Sequence, residues 1–155
     1  RYTNEMVIER LKMVKKSGIS FMLYNIIGFP GETEEDILET MKLNNIVKPP
    51  YATMSYLQPW EGTAIRKSAL EKGNLGYDFS ETEISLFQQR GTPFNNLDLS
   101  QELIQHYHDM FTYYIYLNRF LWPFIKVSRS NNILQKFLKM ILTMLLKIRL
   151  RKYRH

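Results

Sequence analysis

The residue types and spacings capable of chemistry gather in one short stretch, Gly28-Phe29-Pro30-Gly31-Glu32-Thr33-Glu34-Glu35-Asp36. Gly28 has no Cβ, so another group can approach the backbone there. Pro30-Gly31 is a turn pair, in which Pro fixes one φ angle and Gly allows a positive one. Thr33 has the character of a helix N-cap, and Glu34, Glu35 and Asp36 suit the positive end of the helix that follows. A glycine-bearing turn before a helix is a common phosphate site. Here four carboxylates crowd the position, and an anion–helix contact is worth about 1 kcal/mol or less at a surface. Repulsion wins, which excludes a phosphate but not a ligand without one. The bland alternative, a plain strand-to-helix turn, stays open.

Other chemistry is restricted by composition. The chain has no Cys, which removes thiolate metal sites, thiol nucleophiles and disulfides. His106 and His108 are two positions apart, so on a helix they point about 200° from each other and cannot share a metal. Glu61, Glu71, Glu81 and Glu83 are scattered and have no partnered base, so none is assigned a general acid or base role.

The elements that must position the corner follow the order helix, strand, helix, strand, helix. Residues 3–17 predict an amphipathic helix with Val7, Ile8, Leu11 and Val14 on one side and Gly18 after its end. Residues 19–27 form a nearly continuous apolar run, which predicts a strand covered on both faces. Residues 34–46 predict a helix with Ile37, Leu38 and Met41 inward, stopped by Lys48-Pro49-Pro50. Residues 51–57 predict a second strand, with Gln58-Pro59-Trp60-Glu61-Gly62-Thr63 as its exit loop. Residues 64–72 predict a third helix closed by Gly73. Short links in this order indicate parallel βα units, with ligand sites where the strands end. Two strands are not a stable sheet alone, so pairing with further strands is expected. Isolated, residues 1–72 should expose a sheet edge and an apolar face and be poorly soluble.

Beyond residue 75 the pattern changes. Ser80-Glu81-Thr82-Glu83 is a capping-box signature for a short helix near 81–90. Ser100 caps a long aromatic helix over about 101–121, which Trp122-Pro123 ends or kinks, and a last helix is expected over 131–152. No Asp or Glu follows Asp109: residues 110–155 carry ten Lys/Arg, while residues 1–109 have a net charge of −4. The aromatic stripe from Tyr107 to Trp122 could stack bases, but packing is the commoner use, and the acidic body argues against a nucleic-acid partner. The last helix has a broad apolar face, Leu134, Phe137, Leu138, Ile141, Leu142, Leu145 and Ile148, ringed by Lys and Arg. It is too short in apolar length to span a bilayer. It could pack on another domain or lie on an anionic membrane surface.

Two loops, Ile26 to Asp36 and Gln58 to Thr63, together with the entry Arg1-Tyr2-Thr3 and Ser17-Gly18-Ile19, resemble the C-terminal half of radical SAM enzymes in order and separation. They are most similar to the large group with an N-terminal cobalamin-binding domain. The likeness covers about residues 1–75. It implies an α/β fold, a fragment of a partial (βα)6 TIM-like barrel supplying its fifth and sixth strands, followed by a helical C-terminal region. Residues 1–75 would belong to the barrel, 76–99 would connect, and 100–155 would form the basic helical region. The resemblance further implies S-adenosylmethionine, a 4Fe-4S cluster whose three Cys ligands lie outside this chain, and, for the subgroup, cobalamin on a separate domain. When bound, the cluster reductively cleaves S-adenosylmethionine to a 5′-deoxyadenosyl radical. Carried over residue by residue, the adenine side is expected at Asn25, Ile26, Ile27 and Gly28, with Leu57 and Gln58 from the next strand. Glu32 matches the acidic position of the corner. No catalytic or metal-binding residue is expected in this chain, which would be inactive alone. The expected partners are the missing N-terminal part of the same protein and a small-molecule or lipid-like substrate. The resemblance places the parent in the cytoplasm, and the basic tail adds a peripheral contact at the inner membrane face. The alternative reading is a non-catalytic membrane-surface or scaffold protein built around the amphipathic last helix.

Overall fold

The computed structural model describes residues 2–75, 91–94, 98–128 and 133–151, with side chains in the last stretch from residue 136 onward. The expected short helix near 81–90 lies outside the described residues. The described residues form a mixed α/β arrangement of two parallel strands and six helices, ending in a helical region. The helices are α1 (Asn4–Lys16), α2 (Glu34–Val47), α3 (Ala64–Glu71), α4 (Gln101–Tyr116), α5 (Trp122–Val127) and α6 (Ile133–Arg151). The strands are β1 (Met22–Ile27) and β2 (Tyr51–Tyr56).

Local chemistry sets the ends of these elements. Thr3, Thr33, Thr63 and Ser100 each accept a backbone N–H from the first turn of the helix they precede. At Thr33 the cap is reciprocal, because Asp36 takes the Thr33 N–H at 2.9 Å. Helix α2 stops at Lys48, which adopts a left-handed φ of 50°. Pro49-Pro50 then forbids further helix.

β1 and β2 pair from Met22↔Tyr51 through Ile27↔Tyr56. One face of the sheet, Ile27 and Tyr56 with the partly buried Ala52 and Met54, packs on Ile37 and Met41 of α2 and on α4. The other face is open: Tyr24 is 80 % and Ile26 47 % exposed. This corrects the expectation of a strand covered on both faces. A single helical layer covers one side of a two-stranded ribbon, and residues alternate between the sides.

The core continues into α4, where Ile104, Tyr107, Met110, Phe111, Tyr114 and Ile115 are buried. The aromatic stripe is therefore packing, with Phe120 left exposed. Helix α4 ends earlier than expected. Its last carbonyls are capped from outside: Asn45 Nδ2 donates to Tyr114 O, Ile115 O and Leu117 O at 2.8 to 3.1 Å, and Lys48 Nζ donates to Ile115 O at 3.1 Å. Pro123 neither ends nor kinks α4. It sits in the first turn of α5, where a missing N–H costs nothing. Helix α6 lies on α4 and α5 through Leu142 and Leu146, with Tyr113 and Thr143 hydroxyls 3.0 Å apart.

Candidate functional site

The corner and the exit loop meet because the parallel ladder runs one step past the strands: Leu57 N donates to Ile27 O at 2.9 Å. Ile27, Gly28, Leu57 and Gln58 are all buried at this edge. Gly28 has φ +94°, and a Cβ built there would lie 3.2 Å from Cβ of Thr92. The close approach that glycine permits is thus made by the segment 91–94. Gln101 of α4 holds that segment, donating from Nε2 to Thr92 O at 3.0 Å and to Phe94 O at 3.2 Å. Phe94 packs with Leu57 and Ala69 in a small second core.

Glu32 turns back into its own loop. Its Oε2 accepts the N–H of Gly28 at 2.7 Å and of Phe29 at 3.3 Å, while Glu32 N donates to Phe29 O at 3.0 Å. Partial burial raises the Glu32 pKa above the ordinary carboxyl value, against the lowering effect of these two N–H groups, with Asp36 adding to the rise. The carboxylate thus fixes the loop and consumes two donors a ligand could otherwise use.

The seven expected residues divide by direction. Asn25 faces the helical layer, where Asn44 Nδ2 donates to its Oδ1 at 2.8 Å and its own Nδ2 donates to Thr53 O at 3.0 Å. Ile26 faces the open side of the sheet. Ile27, Gly28 and Leu57 close the edge, and Glu32 braces it. Gln58 is 8 % exposed, and its Oε1 has no hydrogen-bond partner among the described residues. A buried acceptor left unmatched costs free energy, so this oxygen suits an incoming donor such as an exocyclic amine. Beside the rim, Phe29 and Pro30 share with Ile65 and Ser68 of α3, and with Lys72 just after it, an open groove of about 390 Å³.

Thr92 and Gln101 were missed by sequence reasoning. Gly91-Thr92-Pro93 has the composition of a turn, but nothing in the sequence marks its contact with Gly28. Among the described residues no group of three or more His, Asp or Glu could hold a metal ion. With no Cys in the sequence, the iron–sulfur cluster does not fit this chain. His106 is buried, and His108 stacks on Tyr56 with ring centroids 4.3 Å apart.

The chain is similar over short segments to two curated relatives. One is tRNA-2-methylthio-N(6)-dimethylallyladenosine synthase of Finegoldia magna, 51 % identical over 43 residues, which are 26 % of this chain and 9 % of that protein. The other carries the same name in Clostridioides difficile and is 38 % identical over 68 residues, 43 % of this chain and 14 % of that protein. The matches thus span about a seventh or less of the length of either relative. No protein-family model and no solved structure matches. The likeness supports a radical SAM-family fragment and gives no support to the cobalamin-binding subgroup.

Proposed function

We propose that residues 1–75 are the last two βα units of a radical SAM barrel, with 76–99 connecting them to the basic helical region 100–155. In this reading the ends of β1 and β2 line the adenosine part of S-adenosylmethionine. The observation that carries it is the parallel pairing that sets the Gly28 corner beside Leu57 and Gln58. The adenine would lie on the open side of the sheet that Ile26 faces, at the strand ends beside Gly28 and Leu57, its amine donating to the unmatched oxygen of Gln58. Asn25 and Glu32 would act indirectly, the first tying β1 to α2 and the second holding the corner in shape. The cluster, its Cys ligands and the reacting substrate belong to upstream parts of the parent, which supply the reductive cleavage. The parent enzyme would reside in the cytoplasm. The comparisons do not point to cobalamin, and the proposal stops at the radical SAM core.

The test is made on the parent enzyme, assembled anaerobically with its cluster. Gln58→Leu should weaken S-adenosylmethionine binding by roughly three- to tenfold, the value of one lost hydrogen bond, with cleavage to 5′-deoxyadenosine reduced in step at low ligand. Unchanged affinity would remove Gln58 from the pocket. An upstream sequence without Cys-x-x-x-Cys-x-x-Cys would remove the activity altogether.

A further inference from the structure

Helix α6 is apolar on two sides. At about 100° per residue, Leu138, Leu142, Leu146 and Leu150 form the seam against α4 and α5. Phe137, Met140, Ile141, Met144, Leu145 and Ile148 fall in a second stripe about 140° wide, and every one of them is exposed, Met144 to 64 %. A helix with apolar residues this far round its circumference requires a second cover.

The flanks identify that cover. Lys136 and Lys147 border the stripe on one side and Arg149 on the other, and Arg151 ends the stripe one turn past Ile148; all four are exposed. The helix carries no acidic residue. On the Arg149 side, Leu145 and Ile148 of the stripe line a cavity of about 430 Å³ together with Arg149, Arg119 and Lys48. Apolar side chains and cations therefore share one surface, and the cavity places three cationic side chains beside it. Among the described residues no helix is long and apolar enough to cross a membrane; an apolar stripe with a cationic rim has the character of a helix that lies in a bilayer interface. Nucleic acid fits less well, because of the six stripe residues only Phe137 has a ring to stack. An added barrel strand would pair at the free sheet edge, and α6 packs on the far helical layer.

We propose that α6 docks the protein on an anionic phospholipid surface, its stripe entering the acyl boundary and its flanking cations, with Arg119 and Arg149 of the adjoining cavity, holding lipid phosphates. The proposal is independent of the radical SAM reading.

The 155-residue chain is floated with vesicles of phosphatidylcholine alone and of phosphatidylcholine with about one third phosphatidylglycerol, at low and high salt. Binding to the anionic vesicles alone is expected, falling about tenfold or more at high salt. Met144→Glu with Ile148→Glu, and separately Lys147→Glu with Arg151→Glu, should each lower binding about tenfold or more. Exposed positions are chosen so that the fold survives, which circular dichroism checks. Lys67→Glu on α3 should leave binding unchanged. The proposal is overturned by equal binding to neutral vesicles, by no flotation at low salt, or by full binding of either double variant. A dimer that dissociates on Met144→Glu, or retention on RNA in place of vesicles, would overturn it as well.

Discussion

The Glu32 carboxylate closes a ring onto the backbone of Gly28, accepting its N–H at 2.7 Å from four residues away. Substituting Glu32→Ala leaves that N–H, at a buried glycine, without its acceptor. The expected cost is about 1–3 kcal/mol, read as a lower denaturant midpoint. The pH dependence has a definite sign. The folded-state pKa is raised above 4.5 by burial, so just above that value the folded chain holds more protons than the unfolded one. Stability therefore falls as pH rises through this window. Glu32→Gln, which can still accept the N–H, should abolish that decline while retaining most of the stability.

Asn45 and Lys48 are a cap supplied by one helix to another. Asn45→Ala removes one donor from the carbonyls of Tyr114, Ile115 and Leu117 and leaves Trp122 Nε1 on the first and Lys48 Nζ on the other two. It should cost about 0.5–1.5 kcal/mol and fray the end of α4 in hydrogen exchange. Burial first, then Arg149 and Lys15, push the Lys48 ammonium down to about 8. Between about 8 and the ordinary 10.5 the unfolded state binds the extra proton, so this group makes stability rise with pH over that window. Melting of wild type against Lys48→Met across pH 7 to 11 should show the rise in the first and its loss in the second.

Local signals carried much of this fold. Helix starts were legible at Thr33 and Ser100 because a cap needs only neighbouring residues, and the βα order followed from apolar runs and turn pairs. What a residue meets across 60 or 70 positions was not legible. Asn45 shows no sign in sequence of capping α4, and Trp122-Pro123 looked like a terminus because Pro tolerates both a helix end and a helix start. At the candidate site the edge formed by Ile27, Gly28, Leu57 and Gln58 was visible as a pair of loops. The inward turn of Asn25 and the filling of the Gly28 notch by Thr92 depend on packing partners that the pattern does not encode.

Tyr107 ties the helical region to the corner: its hydroxyl donates to Glu34 Oε1 at 2.6 Å, and Lys126 Nζ lies 2.8 Å from the same oxygen. Burial, then the hydrogen bond to Glu34, raise the Tyr107 pKa well above its ordinary value, so the hydroxyl stays a donor at any working pH. Tyr107→Phe removes a bond to a charged acceptor and should cost about 1.5–3 kcal/mol. Lys126→Ala, at an exposed pair, should cost under about 1 kcal/mol. Equal effects from the two in chemical denaturation would show that the ion pair, and not the phenol, anchors the region.

The open face of the sheet makes the last prediction. Parallel register places Met22 beside Tyr51, Tyr24 beside Thr53 and Ile26 beside Ser55. Met22, Tyr24, Ile26 and Tyr51 are all exposed large apolar side chains on that face. Burying such surface is worth about 25 cal/mol per Å², and among the described residues the outer edges of the two strands are unpaired and can accept another strand. The 155-residue chain by itself should therefore self-associate at micromolar concentration, seen by sedimentation equilibrium. Tyr24→Lys with Ile26→Lys points two charges outward without disturbing the covered face of Leu23, Asn25 and Ile27. The double variant should be monodisperse and melt at the wild-type temperature. A wild-type chain already monomeric at high concentration would mean that this face needs no cover.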